Sequence, residues 1–451
     1  MSASQDTIIA LATPPGRSGV ALVRISGPKS FFLLQRLCKQ KNKKSFSSRK
    51  VCFAPIFDPE NKKIDESLVW AMKGPKTYTG EDVVEISAHG NPVVVHRLLN
   101  TAIKYGARLA ARGEFTKRAF LAGRIDLAQA EAVAQLVSAN TTEAAQAALL
   151  HLEGALSKET KNIRYTLVAL LARIEAALDY PDELTELPKK SLKKQVGNAL
   201  AKTRVLLETN KRGVLLKEGL KVVIAGAPNV GKSSLLNCLV GDSKAIVTEI
   251  PGTTRDAIED VITLSGVPVR LIDTAGLRHD PGHVERIGIE KTLAHVETAD
   301  LVLFVVDVSK KLSKKEKEKI NELKGRGVAV LVVGNKQDLA NKKKNNAADI
   351  RVSAKTGQGI RLLEKRMVKQ AGVLEQRESS SPIIMEARQK ERLLEAEQAL
   401  RRVEKALAEG VVQDLLTIDI KAAIVALGEI TGDEVSDEVI NHIFDNFCVG
   451  K

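Results

Sequence analysis

Aromatic residues make up only 3% of this 451-residue chain. Proteins that read single-stranded nucleic acids stack bases on aromatic rings, so this composition argues against such a platform. The chain also lacks an uncharged apolar run of about 18 residues, and no basic segment precedes the short apolar run at its start. We therefore expect a cytoplasmic protein without a membrane span.

Cysteine is also sparse, and the four thiols are Cys38, Cys52, Cys238 and Cys448. None belongs to a C-x-x-C pair, which argues against a zinc knuckle or a disulfide framework. A cysteine four residues from a chain end is usually exposed and without function, so Cys448 becomes a candidate only if a second argument supports it.

Positive charge is in excess, with a formal net charge of +14, which is consistent with a polyanionic partner. Eleven lysines lie between Lys310 and Lys344. Such runs are more often solvated faces than binding sites. If RNA is the partner, backbone charge and shape should dominate its recognition.

The length predicts two to four domains, and the hydrophobic pattern changes at three places along the chain. Short alternating runs between Pro- and Gly-rich turns predict an α+β segment first. Helical periodicity follows, then strand and helix in alternation, then helical periodicity again. The predicted segments are 1–118, 119–215, 216–375 and 376–451. The simplest architecture inserts a mostly parallel α/β domain into a helical domain made from both flanking segments.

Two capping boxes predict the first helices of the helical domain, at Asp126–Gln129 and at Asn140–Glu143. The run that follows them is predicted to end near Asp179. A further helix rich in lysine and leucine is predicted over roughly Ser191–Lys211.

A glycine-rich phosphate loop, G-x-x-x-x-G-K-[ST], runs from Gly226 to Ser233 after an apolar strand. Its glycines let backbone N–H groups surround phosphate oxygens at a helix N-terminus. Lys232 supplies charge to the outer phosphates, and Ser233 places a hydroxyl on Mg²⁺. The loop predicts a nucleotide-binding, Ras-like P-loop domain.

Four further motifs specify guanine as the base: Gly252–Asp256, Asp273–Gly276, Asn335–Asp338 and Ser353–Lys355. The carboxylate at the end of N-K-Q-D accepts from the N1–H and 2-amino groups of guanine, a donor pair that adenine lacks. The asparagine and lysine of that motif brace the base and the phosphate loop. The last motif is predicted to bring a backbone N–H to the guanine carbonyl oxygen. The sequence therefore predicts a GTPase.

The residue after D-x-x-G is unusual, because Leu277 replaces the glutamine that orients the attacking water in many small GTPases. Another device must then order the water and stabilise charge. One candidate is Asn229, whose side-chain oxygen would help bind a monovalent cation with carbonyls from residues 247–254. The alternative is a turn residue that bonds its own backbone.

These motifs, together with both flanks, resemble the MnmE (TrmE) family of tRNA modification GTPases over essentially the whole chain. DTIIALATPPGRSGVALVRISGP is similar to the opening of the family, and GEFTKRAFLAGRIDLAQAEAV to its entry into the helical domain. The ending Cys448–Val–Gly–Lys451 is similar to its terminal C-x-G-K. The terminal tetrapeptide and the opening are more specific than the GTPase motifs alone.

For the GTPase, the resemblance implies a potassium ion, a magnesium ion and a carboxylate that orients the water through a bridging water. The implied potassium ligands are Asn229, Thr248, Ile250 and Thr253, and the magnesium ligands are Ser233 and Thr254. The carboxylate is Glu285, and the other implied catalytic residues are Arg255 and Asp256. Cys448 is the implied catalytic candidate for the tRNA modification and not for GTP hydrolysis. The implied GTP contacts are Asn229, Val230, Gly231, Lys232, Ser233, Ser234, Thr248, Glu249, Ile250, Pro251, Gly252, Thr253, Thr254, Asp273, Thr274, Ala275, Gly276, Asn335, Lys336, Gln337, Asp338, Ser353, Ala354 and Lys355.

For the N-terminal domain, the resemblance implies dimerisation and binding of a 5-formyl- or methylene-tetrahydrofolate. The implied folate contacts are Arg24, Glu85, Arg124 and Lys451, and Arg124 stands where the family usually has lysine. From the residues alone, the two arginines are equally well surface ion-pair partners and Glu85 a solvated strand residue. The resemblance also places the terminal C-x-G-K near the folate.

The implied activity requires partners. A homodimer would form a heterotetramer with MnmG, a flavin- and NADH-dependent protein. Together they would add an aminomethyl or carboxymethylaminomethyl group to C5 of the wobble uridine, position 34, of certain tRNAs, while GTP hydrolysis drives a conformational change.

The alternative function is a ribosome-assembly GTPase that binds ribosomal RNA. Such proteins share the guanine motifs and a basic charge, but they would be expected to carry an RNA-reading module such as a KH domain. The sequence outside the GTPase motifs shows no such module.

Overall fold

The computed structural model describes residues 6–39, 46–183, 187–241, 259–264, 266–273, 299–339, 348–370 and 382–451. They belong to two compact units. The first comprises Met1–Ala134, Ser157–Arg164 and Val425–Lys451, and the second comprises Gln135–Leu156 and Tyr165–Ile424.

The first unit contains a six-stranded mixed sheet in the order β3-β4-β5-β2-β1-β6, with β1 and β6 parallel and the other neighbours antiparallel. Its strands are β1 (Ile8–Leu11), β2 (Ser18–Ser26), β3 (Val51–Phe57), β4 (Lys63–Met72), β5 (Val83–Gly90) and β6 (Arg108–Leu109). Residues along β4 alternate between buried and partly exposed, as expected when one face of a sheet covers a core.

Helices α1 (Ser30–Leu37) and α2 (Pro92–Lys104) bury their apolar stripes in the same core as this sheet. Asn91 caps α2 by accepting from the Val93 amide, and Pro92 occupies the first helical position. Two more helices, α3 (Glu114–Leu121) and α14 (Asp437–Asp445), belong to this unit.

The helical segments are α4 (Leu127–Ser138), α5 (Thr142–Leu152), α6 (Ala155–Asp179), α7 (Lys189–Glu208), α8 (Asn210–Glu218), α12 (Ala387–Glu409) and α13 (Gln413–Thr431). The capping box at Asp126 is confirmed, because its carboxylate accepts from the Gln129 amide and the Gln129 side chain accepts from the Asp126 amide. The box predicted to begin at Asn140 is wrong by one residue. Thr141 is the cap of α5, and its hydroxyl accepts from the Ala144 amide.

The predicted helix over Ser191–Lys211 is in fact two helices, α7 and α8, separated at Thr209. The Thr209 hydroxyl accepts from the Ile384 amide at 3.0 Å, and the Asn210 side chain donates to the Ile384 carbonyl at 3.3 Å. A Cβ at Gly213 would overlap that same carbonyl, so only glycine permits this approach. The segment entering the α/β domain is thereby joined to the segment leaving it.

The second unit contains a six-stranded sheet in the order β12-β11-β10-β7-β9-β8, parallel except for the hairpin of β8 and β9. Its strands are β7 (Leu220–Gly226), β8 (Glu259–Leu264), β9 (Val267–Asp273), β10 (Leu301–Asp307), β11 (Val330–Asn335) and β12 (Ile350–Arg351). The associated helices are α9 (Lys232–Gly241), α10 (Lys314–Gly325) and α11 (Ile360–Gln370), with a 3₁₀ turn at Gln337–Leu339.

Strand β10 is buried along nearly its whole length, because residues of both its faces lie in hydrophobic clusters. The predicted class, a multidomain α+β, helical and α/β protein, is confirmed. Among the described residues, no helix is long and apolar enough to cross a membrane.

Candidate functional site

The phosphate loop connects β7 to α9, and its two glycines have positive φ, +146° at Gly226 and +91° at Gly231. A Cβ at Gly226 would overlap the Val305 carbonyl oxygen of β10, and one at Gly231 would overlap the Asn335 side chain. Glycine is therefore required at both positions, by backbone conformation and by space. Asn229 also has positive φ, at +63°.

Lys232 lies across the loop, where its ammonium donates to the carbonyls of Gly226 at 3.1 Å and Ala227 at 2.9 Å. Ser233 and Ser234 are exposed in the first turn of α9, and Val230 is buried. A cation and hydroxyls are therefore grouped at a helix N-terminus, which suits phosphate and Mg²⁺.

Asn335 joins the loop to the last guanine motif. Its side chain is almost completely buried, and its amide donates to the carbonyls of Val230 at 3.0 Å and Gly231 at 3.3 Å. Its oxygen accepts from the Ala354 amide at 3.0 Å. One side chain thus fixes the distance between the phosphate loop and the segment expected to contact the base.

Lys336 is held by two acceptors, the Asn229 carbonyl and the Asp307 carboxylate, each at 2.8 Å. Burial alone would raise the pKa of Asp307, but hydrogen bonds from Lys336 and Ser309 outweigh it and hold that pKa below its usual value. Sequence reasoning missed Asp307. Its position at the carboxyl end of β10, where such sheets bind ligands, was the available signal.

Asp338 is exposed, and one of its carboxylate oxygens accepts from the Ser353 hydroxyl at 2.6 Å. Ser353 itself is fully buried. The backbone of this segment is anchored as well, because the Gln337 amide donates to the Val352 carbonyl. The carboxylate is therefore oriented by a rigid neighbour while remaining accessible.

A cavity of about 220 Å³ lies beside the loop. Its lining residues are Ala227, Pro228, Asn229, Val230, Val306, Asp307, Lys310, Lys311, Leu312, Ser313 and Glu316.

Part of the predicted nucleotide site lies outside the described residues. This part comprises Thr248, Glu249, Ile250, Pro251, Gly252, Thr253, Thr254, Arg255, Asp256, Thr274, Ala275, Gly276 and Glu285. Asp273 ends β9, with its backbone in register with Ile224 of β7, the strand that leads into the phosphate loop.

The first unit brings together most of the predicted folate contacts. Arg24 and Glu85 face each other on β2 and β5, and their side chains form an ion pair at 2.7 Å with exposed fractions of only 18% and 13%. The Arg24 guanidinium lies 5.8 Å from the ring centre of Tyr78 and 5.6 Å from that of Phe115, within cation–π range.

The end of the chain lies against this pair. The Phe115 amide donates to the Lys451 carbonyl at 3.1 Å, and Arg24 donates to the Gly450 carbonyl at 3.4 Å. Gly450 has a φ of +93°, and a Cβ there would overlap the Leu11 carbonyl oxygen. We call the set Arg24, Tyr78, Glu85, Phe115 and Cys448–Lys451 the C-terminal site.

Cys448 has an exposed free thiol. Its backbone carbonyl accepts a hydrogen bond from the Gly113 amide at 3.3 Å. Arg124 is exposed, and its side chain packs near Gly80, two residues after Tyr78. Burial raises the pKa of the Tyr78 phenol, although a hydrogen bond with Thr116 and the charge of Arg24 act in the opposite direction. Sequence reasoning missed Tyr78 and Phe115, because nothing local connects either of them to Arg24.

Metal-binding clusters of three or more His, Cys, Asp or Glu side chains are absent from the part of the chain that the structure describes.

Two protein-family models match the chain. The model of the MnmE helical domain matches residues 127–448, and the model of the GTP-binding protein TrmE N-terminus matches residues 7–124.

Individual proteins match over the whole length. A tRNA modification GTPase MnmE from Alkaliphilus metalliredigens is 43% identical over 459 residues, covering 99% of each chain. The protein of the same name from Acetivibrio thermocellus is 41% identical over 458 residues, again covering 99% of each chain. Among solved structures, the G domain of the T. maritima FeoB iron transporter is 29% identical over 34% of this chain and 98% of that one, with a TM-score of 0.27.

Proposed function

The chain belongs to the MnmE family of tRNA modification GTPases, and on that premise we propose that it binds GTP with Mg²⁺ and hydrolyses it in the modification of tRNA. The observation that carries this proposal is the Asn335 side chain, which ties the phosphate loop to Ala354. A nucleotide whose phosphates occupy the loop then has its base beside the Asp338 carboxylate. That carboxylate selects guanine.

Hydrolysis depends on potassium in this proposal. Asn229 lies within the phosphate loop, and its side-chain oxygen accepts no hydrogen bond from the loop among the described residues. The positive φ of Asn229 suits an asparagine in a turn, so the potassium proposal rests on its place in the phosphate loop and on the missing glutamine at Leu277. Thr248, Ile250 and Thr253 would complete the potassium site, Thr254 would join Ser233 on Mg²⁺, and Glu285 would order the water through a second water.

The C-terminal site supports the folate proposal. A tetrahydrofolate carries a flat ring system and carboxylates, and the site offers aromatic rings, the guanidinium of Arg24 and the terminal residue Lys451. The bound group would supply the one-carbon unit, as 5-formyl- or methylene-tetrahydrofolate. Arg124 would provide a further cation for the carboxylates, and Cys448 would take part in the chemistry.

The assembly proposed is a homodimer that joins MnmG in a heterotetramer and modifies C5 of the wobble uridine. The edge strand β3 supports a dimer, because Val51 and Phe53 are 62% and 66% exposed and Leu68, the register partner of Phe53, is 47% exposed. Exposed apolar groups on an edge strand mark an interaction surface. Light scattering of the free protein tests the dimer.

Two measurements test the function as a whole. GTP hydrolysis should be much faster in K⁺ than in Na⁺, and tRNA from cells lacking the protein should lose the modified wobble uridine in a mass-spectrometric nucleoside profile. If cells lacking the protein assembled ribosomes normally but lost the modified nucleoside from tRNA, the ribosome-assembly alternative would be rejected. Normal tRNA nucleosides in such cells would overturn the proposal.

A further inference from the structure

Helix α7 carries the least compensated positive charge among the lysine-rich helices of the described chain. Its 20 residues include five lysines and Arg204 against one acid, Glu208. Four of the lysines occupy its first two turns, and we call Lys189, Lys190, Lys193 and Lys194 the lysine patch. All four are exposed, and none forms an ion pair within the described part of the chain.

Three arginines near the patch are paired with acids, unlike the four lysines of the patch. On α12, which packs against α7, Arg401 pairs with Glu397 at 2.7 Å and Arg402 pairs with Asp419 at 2.7 Å. Arg204, at the other end of α7, also pairs with Glu397.

Helix α10 is the useful contrast, because it is equally rich in lysine. Its sequence KKEKEKINELKG has five lysines and three glutamates. Glu316 completes a capping box with Ser313, and Glu322 accepts from Lys319 at 2.9 Å and Arg326 at 3.0 Å. Its other lysines form no ion pair among the described residues, but three glutamates lie between them along the helix and offset much of the charge, as expected for a solvated face.

The lysine patch works against helix stability. Lys189 and Lys193, like Lys190 and Lys194, are like charges at i and i+4, a spacing that destabilises a helix. A polyanion that neutralises them would remove this repulsion. Positive charge without local compensation is also the electrostatic footprint of nucleic-acid binding.

The surroundings of the patch favour RNA over a membrane. The only apolar side chain within residues 189–194, Leu192, is buried toward the protein core, as are Val196 and Leu200. A helix that binds a lipid surface needs an exposed apolar face beside its charges. Helix α7 has no aromatic residue on which a base could stack, and its lysines are point charges suited to phosphates.

We propose that the lysine patch of α7 binds the phosphate backbone of tRNA. This inference rests on the proposed function in tRNA modification, and it adds the surface of the protein that contacts the tRNA. The contacts are sequence-independent, so they position the tRNA without selecting it.

The test compares two full-length variants that lose the same charge. The first changes the lysine patch to alanine (Lys189, Lys190, Lys193 and Lys194), and the control changes Lys314, Lys315, Lys317 and Lys324 of α10 to alanine. Binding of fluorescent tRNA is measured over a series of NaCl concentrations. The patch variant should bind roughly tenfold more weakly or worse, with a slope of log K against log salt shallower by about 3, because each lost phosphate contact removes about 0.7–0.9. The control should keep nearly the wild-type slope.

Folding is checked by thermal melting and by GTP hydrolysis without tRNA. The patch variant should melt at or above the wild-type temperature and hydrolyse GTP at the wild-type rate. A wild-type slope in the patch variant, or equal losses in both variants, would overturn the proposal. Loss of binding to anionic phospholipid vesicles with tRNA binding intact would assign the patch to a membrane instead. Failure of the wild-type protein to bind tRNA would overturn the proposed function as well.

Discussion

The nucleotide site and the C-terminal site are built by different routes. In the nucleotide site, side chains come from loops at the carboxyl ends of neighbouring parallel strands, and Asn335, Lys336 and Asp307 connect those loops. In the C-terminal site, Arg24 meets a residue 426 positions away in sequence, Gly450. The first site therefore depends on one sheet edge, and the second on the end of the chain being held in place.

This difference has a functional consequence. The two sites share no residue, so we expect changes in the C-terminal site to impair tRNA modification and to leave GTP hydrolysis intact.

The largest expected effect is the complete loss of modification in Cys448→Ser. A serine is close in size to cysteine but far less acidic, so a reactive thiol would be lost while the fold is kept. Potassium-stimulated GTP hydrolysis should stay at the wild-type rate. The assay contains tRNA, GTP, a folate donor and the flavoprotein partner, and it measures modified nucleoside and released phosphate together.

Cys52→Ser is the matched control, because Cys52 lies in the same unit, on β3. If the Cys448→Ser variant modified tRNA at the wild-type rate, the thiol would not be catalytic. Residues 448–451 would then act through Lys451 or through structure alone.

Asn229→Ala should remove most of the rate advantage of K⁺ over Na⁺. An arginine finger is worth about 10³–10⁵ in rate, and an ion in its place should contribute on a similar scale. The rate in K⁺ is divided by the rate in Na⁺ for the wild-type protein and for the variant. Because a misfolded fraction lowers both rates equally, it does not change this ratio. Equal rates for the wild-type protein in K⁺ and Na⁺ would contradict the potassium site.

Asp338→Asn should weaken the binding of GTP and favour the binding of xanthosine triphosphate, whose 2-position carries a carbonyl in place of the amine. One of the two hydrogen bonds is replaced by a contact between two donors and the other loses its charged acceptor, so GTP affinity should fall on the order of 10²–10⁴-fold. Affinity is measured by titration with both nucleotides. An unchanged affinity for GTP would remove Asp338 from the site.

The nucleotide site could be predicted from sequence because its residues occur in short motifs at strand ends. The helices could be predicted where the signal is local, as in the capping box at Asp126. Local signals fail where two neighbours are equally good caps. Asn140 and Thr141 both suit an N-cap, and only the extended backbone of Thr141, with φ −135° and ψ 158°, decides between them.

The remaining misses depend on contacts between distant residues. The break between α7 and α8 at Thr209 is stabilised by Ile384, and the environment of Arg24 is made by Tyr78 and Phe115. No periodicity or motif connects these positions. The domain boundaries, the ligand roles of the site residues and the cytoplasmic location stay predictions.

The smallest expected effect concerns Asp307, which anchors Lys336 in the nucleotide site. The pKa of Asp307 is held below its usual value, so the carboxylate stabilises the fold at any pH above its pKa in the unfolded chain, about 3.9. This stabilisation is lost as the pH falls through the pKa that Asp307 has in the folded protein. Asp307→Asn should therefore lower the free energy of unfolding at pH 7 by about 1.5–3 kcal/mol, the range for a hydrogen bond to a charged group. The difference from wild type should narrow below about pH 4. Urea unfolding over a pH series measures it, with Glu318→Gln on α10 as an exposed carboxylate control that should change little. If the difference between wild type and variant stayed constant down to pH 3, the ion pair between Asp307 and Lys336 would contribute nothing to the stability of the nucleotide site.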